Sequence, residues 1–188
     1  MIRRLYALAF GLHFGVMQTS YFFQLEILLT AAYTGFIMAT LGWLAGVLAG
    51  LFLPGGHRQG HGVNTPLAAW HLAGLAAYYA ALALLSLYPY NLTLLPVYCL
   101  LIMVSGAQSG NFFKLNQPLF PSTASLFFME NNGFIIGWVA GFIGFVMFGI
   151  GFLHYGPVVI GAALVPMILL YSGSLRLNNS ASSHPTGP

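Results

Sequence analysis

The stretch "GFIMATLGWLAGVLAG", Gly35 to Gly50, contains no charged residue and places a glycine at every fourth position from Gly42 onward. Glycines four residues apart lie on one face of a helix, where they let a second helix approach closely in lipid. A related stretch, "GFIIGWVAGFIG", begins at Gly133. The two stretches share Gly-Phe-Ile at the start and Gly-Trp-x-Ala-Gly later. Both predict apolar membrane helices that pack through glycine.

The composition of the whole chain supports the same environment. Of its 188 residues, 59% are hydrophobic and only 4% are Asp, Glu, Lys or Arg. Soluble domains carry about 25% charged residues, so this chain is predicted to lie in the lipid bilayer. The net charge of +3 gives no support for nucleic-acid binding. The single cysteine, Cys99, argues against a cysteine-based metal cluster, and no metal site is predicted.

Apolar runs separated by Gly, Pro and polar residues predict six transmembrane helices, since about 20 apolar residues span the hydrocarbon core. The helices are expected at residues 5–24, 29–53, 66–88, 92–113, 133–154 and 157–174. The last break is placed at Gly156-Pro157. Residues 177–188 are polar and rich in Pro, Gly and Ser, which predicts a disordered tail. The predicted fold class is all-α, a polytopic membrane protein with one transmembrane domain, 1–176.

The basic residues predict the orientation of these helices. All five lie before helix 1, in the second or fourth loop, or after helix 6: Arg3, Arg4, Arg58, Lys114 and Arg176. Placing both termini in the cytoplasm puts all five on the cytoplasmic side, as the positive-inside rule requires. The predicted location is the cytoplasmic (inner) membrane of a bacterium.

A second pair of similar stretches predicts an internal duplication. "MQTSYFFQLE", beginning at Met17, resembles "AQSGNFFKLN", beginning at Ala107, and each is followed by one of the glycine-rich helices. Residues 5–88 and 92–174 would then be two repeats of three helices each. Because three is odd, the second repeat would be inverted, as in many transporter folds. Chance similarity between apolar segments is the alternative.

Part of the chain resembles a known family. The stretch "FFQLEILLTAAYTGFIMATLGWLAGVLAGLFLP" and the spacing of Glu130, Gly133 and Gly137 resemble the membrane domain of spermidine-synthase-like proteins, which is like half of a major-facilitator transporter. The resemblance covers about residues 10–155 and implies a shared membrane scaffold. The soluble aminopropyltransferase domain of that family has no counterpart here, since no Gly-x-Gly-x-x-Gly loop follows a strand. The resemblance therefore implies no synthase activity.

Polar side chains in the predicted spans are candidate functional groups, because ionisable groups in a membrane are costly. An outer cluster includes Gln18 and Glu26. An inner cluster joins the end of helix 4 to the start of helix 5: Gln108, Asn111, Glu130, Asn131 and Asn132. One interpretation of Glu130 is a carboxylate stabilised by the dipole at the start of helix 5. The other is a polar pocket that binds a proton, a small ligand or a partner subunit.

Two histidines, His13 and His71, are expected at similar depths in helices 1 and 3. Such a pair could ligate haem b, or could hydrogen-bond a quinone and transfer protons. The alternative is a hydrogen-bonded histidine pair in a helix interface.

Two function classes remain open. The first is a non-catalytic integral membrane subunit that anchors or connects other membrane or periplasmic subunits of a larger complex, with electron transport and a nearby quinone as its setting. The second is a small-solute transporter or channel that acts as a homo-oligomer. Short loops leave no domain for catalysis, so no enzymatic activity of its own is expected. The scarcity of charged residues favours the connecting subunit.

Overall fold

The computed structural model describes residues 2–29, 32–53 and 64–182, and their side chains over 2–29, 33–53 and 66–168. The described residues are mostly helical and contain no strand. Six α-helices follow one another in these residues: α1 Ile2–Leu29, α2 Ala32–Phe52, α3 Asn64–Leu87, α4 Leu95–Asn116, α5 Thr123–Phe148 and α6 Ile150–Ser182. Short 3-10 turns, Leu92–Leu94 and Gln117–Leu119, flank α4. The predicted all-α fold class is confirmed.

Within the described part of the chain, five helices are long and apolar enough to span a bilayer, in the segments Tyr33–Phe52, Pro66–Leu87, Leu92–Leu119, Thr123–Phe148 and Ile150–Ile168. They indicate an integral membrane protein. α1 is not among the five, although its 28 residues give it the necessary length. Its hydropathy is lowered by polar side chains that are buried inside the bundle, among them His13, Thr19, Ser20 and Gln24.

The break between α5 and α6 lies at Gly149, and its predicted position at Gly156-Pro157 is wrong. Gly149 has a φ of 57°, a left-handed conformation that glycine adopts without a Cβ clash. Its N–H donates to the carbonyl oxygen of Phe145 at 2.7 Å. Pro157 lies inside α6 instead.

Other predicted boundaries also change. α5 begins at Thr123, well before residue 133, and the Ser122 side chain caps it by accepting from the Ser125 N–H at 3.1 Å. Glu130 is therefore inside a helix, beyond the first turn where the macrodipole acts. Glu26 lies in the last turn of α1 and not between helices.

The C-terminal boundary differs as well. The α6 backbone continues to Ser182, so the predicted end at 174 is wrong, and the tail predicted from 177 is helical over its first residues. The rest of that predicted tail, 183–188, and the basic loop residue Arg58 lie outside the described residues.

Two helix pairs pack most closely, α1 with α5 and α2 with α4. Glycine makes both crossings possible. A Cβ added at Gly15 would collide with the carbonyl oxygen of Phe134, and one added at Gly106 would collide with that of Trp43. In each pair, residues later in one helix contact residues later in the other, so the paired helices run in the same direction.

The two crossings share one register. Three contacts between α1 and α5 have counterparts, shifted by 91 residues, between α4 and α2: for Gly15 with Phe134, 15 plus 91 is 106 and 134 minus 91 is 43. The matched contacts are Leu8–Gly133 with Cys99–Gly42, Leu12–Gly137 with Met103–Gly46, and Gly15–Phe134 with Gly106–Trp43.

The core surrounds α1, which also contacts α2, α3 and α6. Aromatic side chains fill it near the start of α1. Phe10 stacks on Phe112 of α4 with ring centroids 4.4 Å apart, and Tyr6 and Phe14 pack on the same Phe112 ring. These contacts fix the position of α1 against α4, and the two helices form the floor of the groove described next.

Candidate functional site

A groove lies between α2 and α5, with α1 and α4 as its floor. Its main cavity has a volume of about 500 Å³. Residues from these four helices line the cavity: Gln18, Thr40, Trp43, Leu44, Val47, Leu51, Ser109, Phe113, Phe127, Glu130, Asn131 and Phe134. The lining is thus mostly apolar and aromatic, with a few polar groups.

Helical spacing brings these side chains to one surface. α5 contributes Phe127, Glu130, Asn131 and Phe134, which are spaced i, i+3, i+4 and i+7 and share a helix face. α2 presents the same spacing with Thr40, Trp43, Leu44 and Val47. In both helices this stripe lies beside the glycines that contact the floor, so close packing through glycine also sets the walls of the groove.

A second, smaller hollow of about 210 Å³ continues the groove. Its lining residues are Gln18, Phe22, Phe36, Ala39, Thr40 and Trp138. The two linings correspond when 91 is added to the residue numbers in α1 and α2 and subtracted from the one in α5. The result is Ser109, Phe113, Phe127, Glu130, Asn131 and Val47, all of which line the main cavity. The two hollows are therefore equivalent in register, and the position that Glu130 holds in the main cavity is held by Ala39 in the second hollow.

Glu130 is the acidic residue of the main cavity. Its Oε1 lies 3.5 Å from the Ser109 hydroxyl, which donates a long hydrogen bond. The basic side chains of Arg3 and Lys114 are used elsewhere, because they donate to carbonyl oxygens at helix ends. No described basic residue lines the cavity. The carboxylate therefore faces the cavity without a cationic partner there.

Some of the predicted polar residues line the main cavity and others do not. Gln18, Glu130 and Asn131 line the cavity. Asn132 does not, because its side-chain amide donates to the Phe128 carbonyl oxygen within α5 at 2.6 Å. Three predicted residues lie elsewhere in the bundle: Gln108, Asn111 and Glu26.

Gln108 takes part in a buried chain of hydrogen bonds on another side of α4. Its side-chain nitrogen donates to Nδ1 of His71 at 2.7 Å, and Nε2 of His71 lies 3.0 Å from the carbonyl oxygen of Gly161. Because a carbonyl can only accept, the neutral His71 ring carries its proton on Nε2. This chain joins α3, α4 and α6.

His13 packs directly against His71, with ring centroids 4.9 Å apart and an interplanar angle of 53°. Rings in direct contact leave no space for a porphyrin between them, and both nitrogens of His71 are already hydrogen-bonded. The pair therefore does not fit axial ligation of haem b. His71 agrees with a hydrogen-bonded histidine in a helix interface, whereas neither buried ring nitrogen of His13 has a hydrogen-bond partner among the described residues. The described residues also contain no group of three or more His, Cys, Asp or Glu side chains suited to a metal ion.

Sequence reasoning missed the aromatic part of the groove. Trp43, Phe113, Phe127 and Phe134 were not predicted as site residues, although each lies three or four residues from a polar one in the lining. The available signal was the i, i+3, i+4, i+7 stripe beside the glycines of α2 and α5. That signal does not distinguish a groove from a lipid-facing surface, because both are apolar.

Comparison with protein families, with characterised proteins and with solved structures gives no match for this chain. The resemblance to the membrane domain of spermidine-synthase-like proteins therefore stays a prediction.

Proposed function

We propose that this chain is a small-solute transporter or channel that acts as a homo-oligomer, with the grooves of two copies facing each other. One observation carries the proposal: the ionisable side chain of Glu130 lines a groove on the outside of a single chain, together with the polar Gln18, Ser109 and Asn131.

The energetics of the bilayer favour a covered groove. An acidic side chain near the bilayer centre costs about 2.5–3.5 kcal/mol by insertion measurements, and each unpaired polar group in hydrocarbon costs several kcal/mol. Lipid in the groove would incur these costs. A second copy placed groove to groove would replace the lipid with a polar passage, and the same surface would pair with itself, as a two-fold interface requires.

The common register of the two crossings supports a 3+3 inverted repeat. Such a repeat pairs the first helix of each half with the second helix of the other, as α1–α5 and α4–α2 do with a shift of 91 residues. The shift makes Gln18 equivalent to Ser109 and not to Gln108, and Trp43 equivalent to Phe134 and not to Trp138. Inverted-repeat transporters bind solutes at the interface of their repeats, and the groove lies between α2 of the first proposed repeat and α5 of the second.

The connecting-subunit function predicted from composition is the second candidate, because the same groove would also accept an apolar helix with a few polar groups from another subunit. Electron transport stays a prediction, since the packed rings of His13 and His71 offer no support for a haem between them. With either function, both termini in the cytoplasm and an inner-membrane location are part of the proposal.

Cysteine cross-linking in native membranes tests the proposal. Leu44→Cys and Phe127→Cys place thiols on exposed positions of the groove, in a Cys99→Ser background, and Leu72→Cys on α3 is an equally exposed control outside it. We expect mild oxidation to give disulfide-linked homodimers from the two groove variants and none from the control.

The outcomes separate the two candidates. A different protein, captured from the groove positions by a membrane-permeant thiol cross-linker and identified by mass spectrometry, would support the connecting subunit. Monomers at both groove positions, or dimers formed through Leu72→Cys alone, would overturn the homo-oligomer.

A further inference from the structure

The acidic and basic groups of the main cavity determine whether it favours a cation or an anion. Glu130 supplies a carboxylate, and the remaining polar lining consists of neutral groups. Of the described basic residues, Arg3 donates to the Leu119 carbonyl oxygen at 2.7 Å and Lys114 to that of Leu53 at 2.6 Å. An anionic solute would meet repulsion from Glu130 without a compensating cation in the cavity.

The aromatic lining restricts the kind of cation. Trp43, Phe113, Phe127 and Phe134 line the same cavity as Glu130. Faces of aromatic rings attract cations, and substituted ammonium groups are recognised in this way. A small metal ion prefers several oxygen ligands, and the cavity offers one carboxylate among aromatic rings. The lining thus fits a cation that carries apolar groups.

The size of the cavity fits a small molecule. Its volume of about 500 Å³ lies within the range of roughly 300–1,000 Å³ that small-molecule sites occupy. The 3.5 Å contact between Ser109 and Glu130 is long for a hydroxyl donor, so the carboxylate is not committed to a strong internal bond.

We infer that the main cavity binds a small organic cation of the amine or quaternary ammonium class, with the charge at Glu130 and the apolar part against the aromatic rings. The inference rests on the proposed function and names its class of solute. The second hollow has the equivalent aromatic residues, Phe22 and Phe36, but Ala39 in place of the acid. Strong binding of the cation is therefore confined to the Glu130 end of the groove.

Calorimetric titration of the full chain in a non-ionic detergent tests this inference. Tetraethylammonium chloride is the cationic probe and sodium benzenesulfonate the anionic one, at equal ionic strength. We expect saturable binding of tetraethylammonium and none of the sulfonate. Glu130→Gln should weaken cation binding by at least about tenfold, because a direct charge interaction is lost, whereas Glu130→Asp should retain it. Glu26→Gln, the matched change outside the groove, should bind like the wild type.

Circular dichroism and gel filtration establish that each variant is folded. If the variants do not fold, the preference of the wild-type chain for the cation over the sulfonate decides.

Equal binding of both probes, no cation binding by the wild type, or full affinity in a folded Glu130→Gln variant would overturn the inference. Failure of this inference and failure of the proposed function are distinguishable. Groove-to-groove dimers without cation binding would contradict only the solute class, whereas cation binding by a chain that forms no such dimer would contradict the homo-oligomer.

Discussion

Tyr78 of α3 donates its hydroxyl hydrogen to the carbonyl oxygen of Leu153 in α6 at 2.8 Å. Leu153 lies four residues before Pro157, and proline has no N–H with which to complete the helical bond to that carbonyl. Tyr78 is fully buried and supplies the missing donor from a neighbouring helix. The helix therefore continues through a proline that the sequence analysis interpreted as a break.

This relationship predicts the effect of removing the Tyr78 hydroxyl. Tyr78→Phe should lower the free energy of unfolding by about 1–3 kcal/mol, because the Leu153 carbonyl oxygen is left buried without its donor. Pro157→Ala should reduce this loss, since an alanine N–H can donate to the same carbonyl. Reversible unfolding in mixed detergent micelles, followed by circular dichroism, measures both effects.

Tyr79→Phe is the control for that prediction. Tyr79 donates to the His154 carbonyl oxygen at 2.7 Å, but the residue four positions further along, Val158, retains its N–H. We expect a smaller loss than for Tyr78→Phe. The opposite result is that the two variants lose the same free energy of unfolding, with no effect of Pro157→Ala. That result would contradict the role of Tyr78 as the donor that replaces the missing helical N–H.

The two glycine crossings should be equally sensitive to added volume. Gly15→Ala and Gly106→Ala each place a methyl group against a backbone carbonyl oxygen of the partner helix, which cannot move without separating the pair. Each should destabilise the fold by about 1–3 kcal/mol. Gly151→Ala is the control, because no atom lies within 4 Å of the added Cβ. Thermal unfolding of the purified variants measures the losses, and a tolerated change at either crossing would contradict its close approach.

The His71–Gln108 hydrogen bond should appear as coupling between the two residues. His71→Leu or Gln108→Leu alone leaves one buried polar partner unpaired, whereas the double variant removes both. We therefore expect the double variant to lose less stability than the sum of the single losses, with a coupling of about 0.5–3 kcal/mol. Strictly additive losses in the same unfolding assay would show that the bond is absent.

Thiol labelling tests the predicted orientation. Tyr88 follows α3 and Gln117 follows α4, and both are exposed. In a Cys99→Ser background, an impermeant maleimide added to intact cells should label Tyr88→Cys directly. It should label Gln117→Cys only after the membrane is permeabilised. The positive-inside distribution of the basic residues requires this asymmetry. Labelling of both from outside would contradict the six-span topology with cytoplasmic termini.

The candidate site was only partly predictable. Glu130, Gln18 and Asn131 were identified because polar groups in an apolar helix are conspicuous. Gln108 was assigned to the same pocket as Glu130, but it hydrogen-bonds to His71 on another side of α4. Sequence spacing places residues on a helix face, but the neighbouring helix that covers this face is set by packing between distant segments.

The amino-acid sequence by itself determined that the chain lies in lipid, that its fold is all-α and that two of its helices have a glycine face. These features follow from composition and from local periodicity. Only the tertiary structure decided where α5 ends, which polar residues meet, and that the two helix crossings share a shift of 91 residues. The physical reason is that these features depend on contacts between distant segments. Tyr78 compensates for Pro157 and allows α6 to continue, and glycine contacts between helices select one register from several that similar apolar stretches would allow.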